Sequence, residues 1–495
     1  MWVGKFAVSD EGLPAGGVTW IDLGATAATS YSTVNGASYH KTYSSPDGIS
    51  ALYVTTEAVA ASDTYIGGFR YRSDGVLRVY DATAAVPAGS NTNQGIALTS
   101  DGQLCYTTAN TTSFNLNGVA VDSARRVYAA PLAFELQFAD LGAGVVDTAE
   151  EITNATPTFT RATTAWTRAS ASSIGWREVA SGVPRSYYST TAYLGYLAEG
   201  ARTNSALWAR DMTNAAWVPV DITPAKDQIG IDGVANSASS ITSTGANGTI
   251  LQTLVLTATS RTYSCFIKRL SGVGAIELTQ DGLAFTAVTV TSEYTQVSLN
   301  ASVLNPIIGI RIVDSGDSVA VDMNQEEAGA FASTPIPTTT AAVTRNADVL
   351  TYPIDWFNAA TGTFFAQMAF LSGTVALTQA VASIYTDTSN YIAIEKFNAN
   401  VSGNIVDGGV TQAAMASTAT SIGVSIKGAL AYAANDGAAC FNGGTVGTDA
   451  TVTVPTVTTF GVGHTAGANL AYAAHRRVAY YNTRLANTYL VNLTA

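Results

Sequence analysis

His40, His464 and His475 are the only imidazoles in this 495-residue chain. They could serve as general bases or metal ligands, but they are scattered too widely in sequence to imply a cluster. His475 beside Arg476-Arg477 reads as a solvated strand end. Glu326-Glu327 is a carboxylate pair of the kind used in glycoside hydrolysis. Adjacent residues on a strand point to opposite faces, however, so the two cannot address one substrate together. Ser239-Ser240 and Ser271-Gly272-Val273-Gly274 lack the context of a nucleophile elbow or a phosphate loop. Cys105, Cys265 and Cys440 are odd in number and far apart. They form neither a disulfide framework nor a zinc site and are expected to be buried, reduced thiols of a protein made in a reducing cytoplasm. This inventory predicts no catalytic residue, no metal and no cofactor, hence a chain that is not an enzyme.

Binding chemistry is better represented. Sugar rings have an apolar face and polar edges, so glycan sites pair aromatic platforms with Asn, Asp and Gln. The chain holds 23 Tyr and 7 Trp. Two loops have the right mixture, and they nominate Tyr385, Asp387, Asn390 and Tyr391, and Tyr432 and Asp436, as glycan contacts. Asp387, Asn390 and Asp407 could together ligate calcium, but no Asp-x-Asp-x-Asp loop supports it.

The elements that must carry these residues are strands. Apolar residues almost nowhere recur at helical spacing. Short alternating runs such as Val76–Tyr80, Thr262–Ile267 and Ile307–Val313 stand between Gly, Asn, Asp and Ser turns, the pattern of all-β sandwiches and barrels. Helix-like spacing is confined to short pieces, Asn204–Asp211 and Arg484–Leu493. The first quarter repeats itself: Gly68-Phe69-Arg70-Tyr71-Arg72-Ser73-Asp74-Gly75-Val76-Leu77 is echoed from Gly95 to Leu104, with Asp101-Gly102 in the turn, and more weakly from Gly118 to Val127. Gly4–Asp10 reads as a degenerate first copy. Asp74-Gly75 and Asp101-Gly102 supply the positive φ of a tight hairpin turn. A hairpin this small cannot bury its apolar face alone and must stack on others.

Composition narrows the function classes. Hydrophobic residues make up 47% of the chain and charged ones 12%, about half the usual ~25% charged share. Lys and Arg number 24 against 36 Asp and Glu, a formal charge of −12. Such a field repels phosphate and argues against a nucleic-acid partner. No run approaches the roughly 18 apolar residues of a spanning helix, and no signal peptide is visible at Met1–Lys5. The length suggests about three domains.

One stretch carries a more specific signal. Gly195-Tyr196-Leu197-Ala198-Glu199-Gly200-Ala201-Arg202-Thr203-Asn204 is followed by Trp217, by Tyr263–Lys268 and by Tyr294–Ser298. Last comes Gln325-Glu326-Glu327-Ala328-Gly329, then Ile336-Pro337-Thr338 and Thr344-Arg345-Asn346-Ala347-Asp348. In this order they resemble the carbohydrate-binding-module-like jelly roll of structural proteins of tailed bacteriophages, with Tyr294 where Trp is usual. Thr361–Phe365, the Ala439–Gly444 hairpin and Arg477–Leu485 with Leu490 resemble a laminin-G or concanavalin-A-like sandwich. Phage fibres often carry the two modules in tandem.

The resulting expectation is an elongated all-β protein. Its parts are a repeated-hairpin anchor or stem (1–135), an irregular connector (136–200) with an exposed Phe159–Ala162, a jelly roll (201–350) and a concanavalin-A-like β-sandwich (351–495). The resemblance implies a non-enzymatic virion protein assembled in the host cytoplasm, a homotrimeric tail fibre contacting host surface glycan. Its N-terminal region would meet other virion proteins, with no membrane insertion. A capsid-attached head fibre or decoration protein, and a virion-associated glycan hydrolase, are the alternatives.

Overall fold

Runs of Val, Ile, Thr, Tyr and Phe, each cut short by Gly, Asn or Asp, favour pleated, half-buried backbone over helix. The computed structural model is all-β accordingly. It describes residues 156–495 apart from 374 and, before them, Phe138 and the backbone of the strands between Gly4 and Asp147. Among the described residues the single α-helix is Asn487–Thr494. No helix there is long and apolar enough to cross a membrane.

The repeated segment forms hairpins. Gly68–Tyr71 pairs with Leu77–Tyr80, Ile96–Leu98 with Leu104–Tyr106, and Val119–Val121 with Val127–Tyr128, all antiparallel. The innermost partners, Tyr71↔Leu77, Leu98↔Leu104 and Val121↔Val127, enclose residues 72–76, 99–103 and 122–126. The three copies thus share one register. Gly4–Ala7 instead pairs with Thr19–Asp22 across residues 8–18, so it lacks the spacing of the others. The turn residues Asp74, Gly75, Asp101 and Gly102 lie outside the described residues.

Two sandwiches follow. In the first, one sheet runs Val218–Val220, Gly248–Thr253, Ile307–Ile312, Ile276–Thr279, Thr286–Val288. The facing sheet runs Ile222–Gln228, Ala238–Ser243, Ser318–Ala328, Thr259–Ser271, Thr295–Val303. Inward residues Tyr263, Cys265 and Ile267 alternate along one strand and meet Ile250, Ile310 and Trp217 in the core. Trp217 is 1% exposed, and its indole N–H donates to the Leu207 carbonyl at 3.1 Å. The helix-like spacing of Asn204–Asp211 yields no helix: Arg202–Asn204 is a strand paired with Val343–Arg345, and turns follow it.

In the second sandwich Phe364, Ala366, Met368 and Phe370 of the strand Thr361–Phe370 point into a core shared with Ile392, Ile394, Ile405, Leu430 and Val478. Phe365 points the other way and is also buried, because Leu485, Leu490 and Leu493 cover the outside of the sheet together with Cys440 and Tyr481. The eight-residue helix has no side-chain cap. Helices this short are marginal alone, so burial of its leucines holds it. Asn442 and Gly443 have φ of 49° and 65°, and Gly444 N donates to Phe441 O at 2.9 Å. Two successive positive φ values are the type I′ requirement that Asn-Gly meets cheaply.

Residues 136–200 are not an irregular connector. Tyr193–Ala198 pairs with Ala473–Tyr481, and through Arg185–Tyr188 and Val145–Asp147 it extends the second sandwich. Ala165–Arg168 and Trp176–Val179 form a hairpin whose Trp166 and Trp176 cluster with Phe266, Tyr294 and Met323 on the outer face of the jelly-roll sheet. These strands have partners up to several hundred residues away, so local sequence pattern does not announce them. The segment clasps both sandwiches.

Candidate functional site

The clasp centres on a buried ionic cluster. Arg161, Arg185, Glu199, Arg345 and Asp348 are each at most 2% exposed. Asp348 accepts from Arg161 Nη1 at 2.8 Å, from Arg185 Nη2, and from the Glu199 backbone N–H at 3.1 Å. Glu199 accepts from Arg185 at 2.8 Å, Arg345 at 2.9 Å and both donors of Thr334. Burial pushes the Glu199 carboxyl up, but Arg345, Arg185 and Thr334 outweigh it and hold it below the usual carboxylate value. Burial likewise works against the Arg185 charge, and Asp348 with Glu199 more than restores it. Buried charges survive when they are paired and fully hydrogen-bonded. Arg161, expected on an exposed stretch, is in fact 2% exposed. Its remaining donors go to the carbonyls of Thr163, Ala180 and Val183 at 2.9, 2.6 and 3.0 Å.

The two halves of the sequence signature close on each other here. The Asn204 amide donates to Asn324 O at 3.0 Å and Ile336 O at 2.8 Å, and its oxygen accepts from Ala206 N and Glu326 N. All four positions of the amide are used. Gln325 Oε1 accepts from Ile336 N at 2.8 Å. The signature glycines have steric reasons. A Cβ on Gly195, φ +120°, would lie 1.9 Å from His475 O, and one on Gly329, φ +129°, would overlap Arg202 Nη1.

Glu326 and Glu327 diverge, as adjacent strand residues must. Glu326 accepts from Gln280 at 3.1 and 3.3 Å, and burial raises its carboxyl to about 7. Glu327 accepts from Gln325 at 2.6 Å and from the backbone and hydroxyl of Ser333 at 2.6 and 2.8 Å. Each is bound into the packing rather than aimed at a common point.

The histidines correct their sequence reading. His475 is no solvated strand end: it is fully buried, neither ring nitrogen has a hydrogen-bond partner, and burial, with His464, lowers its pKa to about 3. His464 is buried too, bonded to Leu350 O at 3.1 Å and to Gly467 N, with its pKa lowered to about 4. Both are neutral core residues. Cys265 and Cys440 are buried free thiols, and burial lifts the Cys265 thiol to about 12.

The nominated glycan contacts do not form one surface. Tyr385 and Tyr391 are register partners, as are Asp387 and Asn390, but Tyr385 is only 7% exposed with its ring against His464. Asp387 Oδ1 accepts from Ser389 N and Asn390 Nδ2, while Asn390 Oδ1 accepts from Gly408 N. The Asp387 and Asn390 oxygens offered for calcium thus hold the two neighbouring hairpin tips. Tyr432 is on the other sheet and 0% exposed, bonded to Tyr480 at 2.7 Å and Asn358 O at 2.8 Å. It cannot meet a sugar. Asp436 is exposed and pairs with Arg484 at 2.9 Å. Replacing Tyr432 with Phe is expected to cost about 1 kcal/mol in urea unfolding, the usual net worth of a hydrogen bond, and to leave any glycan affinity unchanged.

Beside the ionic cluster a cavity of about 60 Å³ opens between the sandwiches. Glu199, Arg202, Arg345 and Ser333 line it from one side, and Gln379, Leu377, Leu470 and Tyr472 from the other. Phe331 stacks on Tyr472 at 5.3 Å and 12°, with the Arg202 guanidinium 4.7 Å from its ring centre. Sequence reasoning had Glu199, Arg202 and Arg345 only as signature residues. Arg185 and Tyr472 carried no local signal.

No family model matches the chain, and no curated protein matches it. Solved structures similar to it include the CBM40 of Ruminococcus gnavus IT-sialidase bound to α2,6-sialyllactose, 16% identical over 28% of this chain and 85% of that one, TM-score 0.24. Another is Trypanosoma rangeli sialidase, 9% identical over 99% of this chain and 98% of that one, TM-score 0.24. A third is the GH43 BlXynB protein from Bacillus licheniformis, 9% identical over 91% and 85%, TM-score 0.20. The expectation of a non-enzymatic chain is withdrawn, since glycoside hydrolases stand among these structures. At such TM-scores neither their activity nor its absence passes to this chain.

Proposed function

We propose that the chain is a fibre protein of a tailed-phage virion whose β-sandwich modules contact a host-surface glycan. The observation that supports this reading is the closure of the signature. Glu199, Asn204, Gln325, Ile336, Arg345 and Asp348, read from a phage structural-protein motif, meet in one hydrogen-bonded network that joins the two modules. The repeated hairpins fit a stem: short two-stranded units gain stability by stacking on neighbours, which a homotrimer and adjoining virion proteins would supply. The net charge of −12 offers no long-range steering toward an anionic surface, so attachment depends on short-range contacts.

Cryo-electron microscopy of purified particles, with an antibody against the second sandwich, tests the assignment. Density at the tail is the expected result. Density at capsid vertices makes it a head fibre, and absence from particles ends the virion reading. Light scattering at micromolar concentration is expected to give three times the chain mass, and a monodisperse monomer would refute the trimer.

A further inference from the structure

The cavity between the sandwiches has an unbalanced wall. Arg202, Arg345 and Glu199 line one side of it, with Arg345 paired to Glu199 at 2.9 Å. Behind them Arg185 and Arg161 pair with Asp348, and Glu327 supports Ser333. On the far side Gln379 bonds Ser372 at 2.9 Å, and Lys396 donates to Gly373 O at 2.7 Å and to Ser372 Oγ at 3.3 Å. Five cations thus stand against three carboxylates. Arg345 is 2% exposed, yet its Nε has no hydrogen-bond partner, and a buried N–H without an acceptor is costly. Glu199 cannot serve, because its oxygens are already committed to Arg185, Arg345 and Thr334. Excess positive charge, an unused buried donor and the Ser333 and Gln379 side chains together describe a receptor for a small anion. The rim is different in kind: Leu377 is 55% exposed, and Leu470 and Phe331 stand beside it.

We infer that this cavity takes the carboxylate of an acidic sugar, with the carboxylate held against Arg345 and Arg202 and the ring resting on Leu377 and Leu470. The volume of about 60 Å³ admits a carboxylate and the carbon that bears it, a few water volumes at most, so the ring stays at the mouth. The assignment rests on the glycan-contact reading and adds the class of glycan.

Isothermal titration of the full chain with glucuronate, N-acetylneuraminate, glucose and acetate tests it. The two acidic sugars are expected to bind about tenfold or more tighter than acetate, with glucose silent. Leu377→Glu places a like charge at the mouth without touching the buried network, and it should weaken the acidic sugars about tenfold at low salt. Leu377→Gln should keep most of the affinity, and both variants should melt with the wild type. Acetate binding as tightly as glucuronate reduces the site to a simple anion pocket and overturns the sugar assignment. Undiminished binding by Leu377→Glu moves the site elsewhere. If a neutral host oligosaccharide binds while the acidic sugars do not, this inference fails and the glycan-contact reading stands. If neither binds, both fall.

Discussion

Replacing Asp348 with alanine is expected to cost about 3–5 kcal/mol of unfolding free energy, the range for removing one partner of a buried ion pair. Asp348 accepts from two guanidinium groups and a backbone N–H. Its loss leaves Arg161 without a carboxylate and strands the Glu199 N–H. Arg185 keeps Glu199, but that carboxylate is then shared between Arg185 and Arg345. The damage falls on the clasp, because Arg161 and Arg185 belong to the segment that touches both sandwiches. Protease cleavage between residues 156 and 200 should therefore accelerate by more than the global loss alone accounts for. Asp436→Ala supplies the contrast. That carboxylate is 56% exposed and pairs with Arg484 at 2.9 Å, and exposed pairs contribute only about 0–1 kcal/mol. Urea denaturation that finds Asp348→Ala within 1 kcal/mol of the wild type would show that the cluster is not what holds the modules together.

The parts of this fold that were legible in the sequence are those fixed by neighbours along the chain. Tyr263, Cys265 and Ile267 announce an inward strand face by alternation, and Asn442-Gly443 announces its turn by the positive φ those two residues tolerate. The pieces that stayed hidden depend on what lies across the sheet. Nothing near Arg185 in sequence tells that Glu199 and Asp348 will neutralise it, so 136–200 reads as loop although it pairs into the second sandwich. His475 illustrates the same limit from the other side. Arg476 and Arg477 follow it and suggest water, yet a strand turns successive residues to opposite faces, and the histidine faces inward beside Tyr196. Tyr432 misleads for a related reason, since a Tyr near Asn and Asp looks like a sugar platform until the facing Tyr480 takes its hydroxyl. The candidate cavity was the least legible of all. Its walls come from residues 199–202, 331–345, 377–379 and 470–472, and only their long-range pairing sets a guanidinium opposite an apolar rim.

His475 carries the second large effect, and its sign follows from burial. Its pKa falls to about 3 in the fold, and that of His464 to about 4, against ~6.5 for an unfolded histidine. Below pH 6.5 the unfolded chain takes up protons that the folded chain refuses, so stability present above 6.5 is lost as pH falls. At about 1.4 kcal/mol per unit, His475 alone removes roughly 2 kcal/mol by pH 5 and about 3 by pH 4. Glu326 acts in the opposite direction. Its folded value of about 7 exceeds that of an unfolded glutamate near 4.3, so its contribution is fully present at low pH and is lost as pH rises through 7. Burial raises the Asp322, Glu327 and Glu395 carboxyls in the same direction as Glu326, so the histidine share is isolated by comparing a variant with the wild type. His475→Leu should remove that share, gaining about 2 kcal/mol over the wild type at pH 5. At pH 7.5 it should be neutral or slightly stabilising, because it removes two buried nitrogens that have no hydrogen-bond partner and keeps a side chain of similar bulk. Urea midpoints at the two pH values measure both quantities. Parallel losses in variant and wild type would show that His475 does not set the acid response.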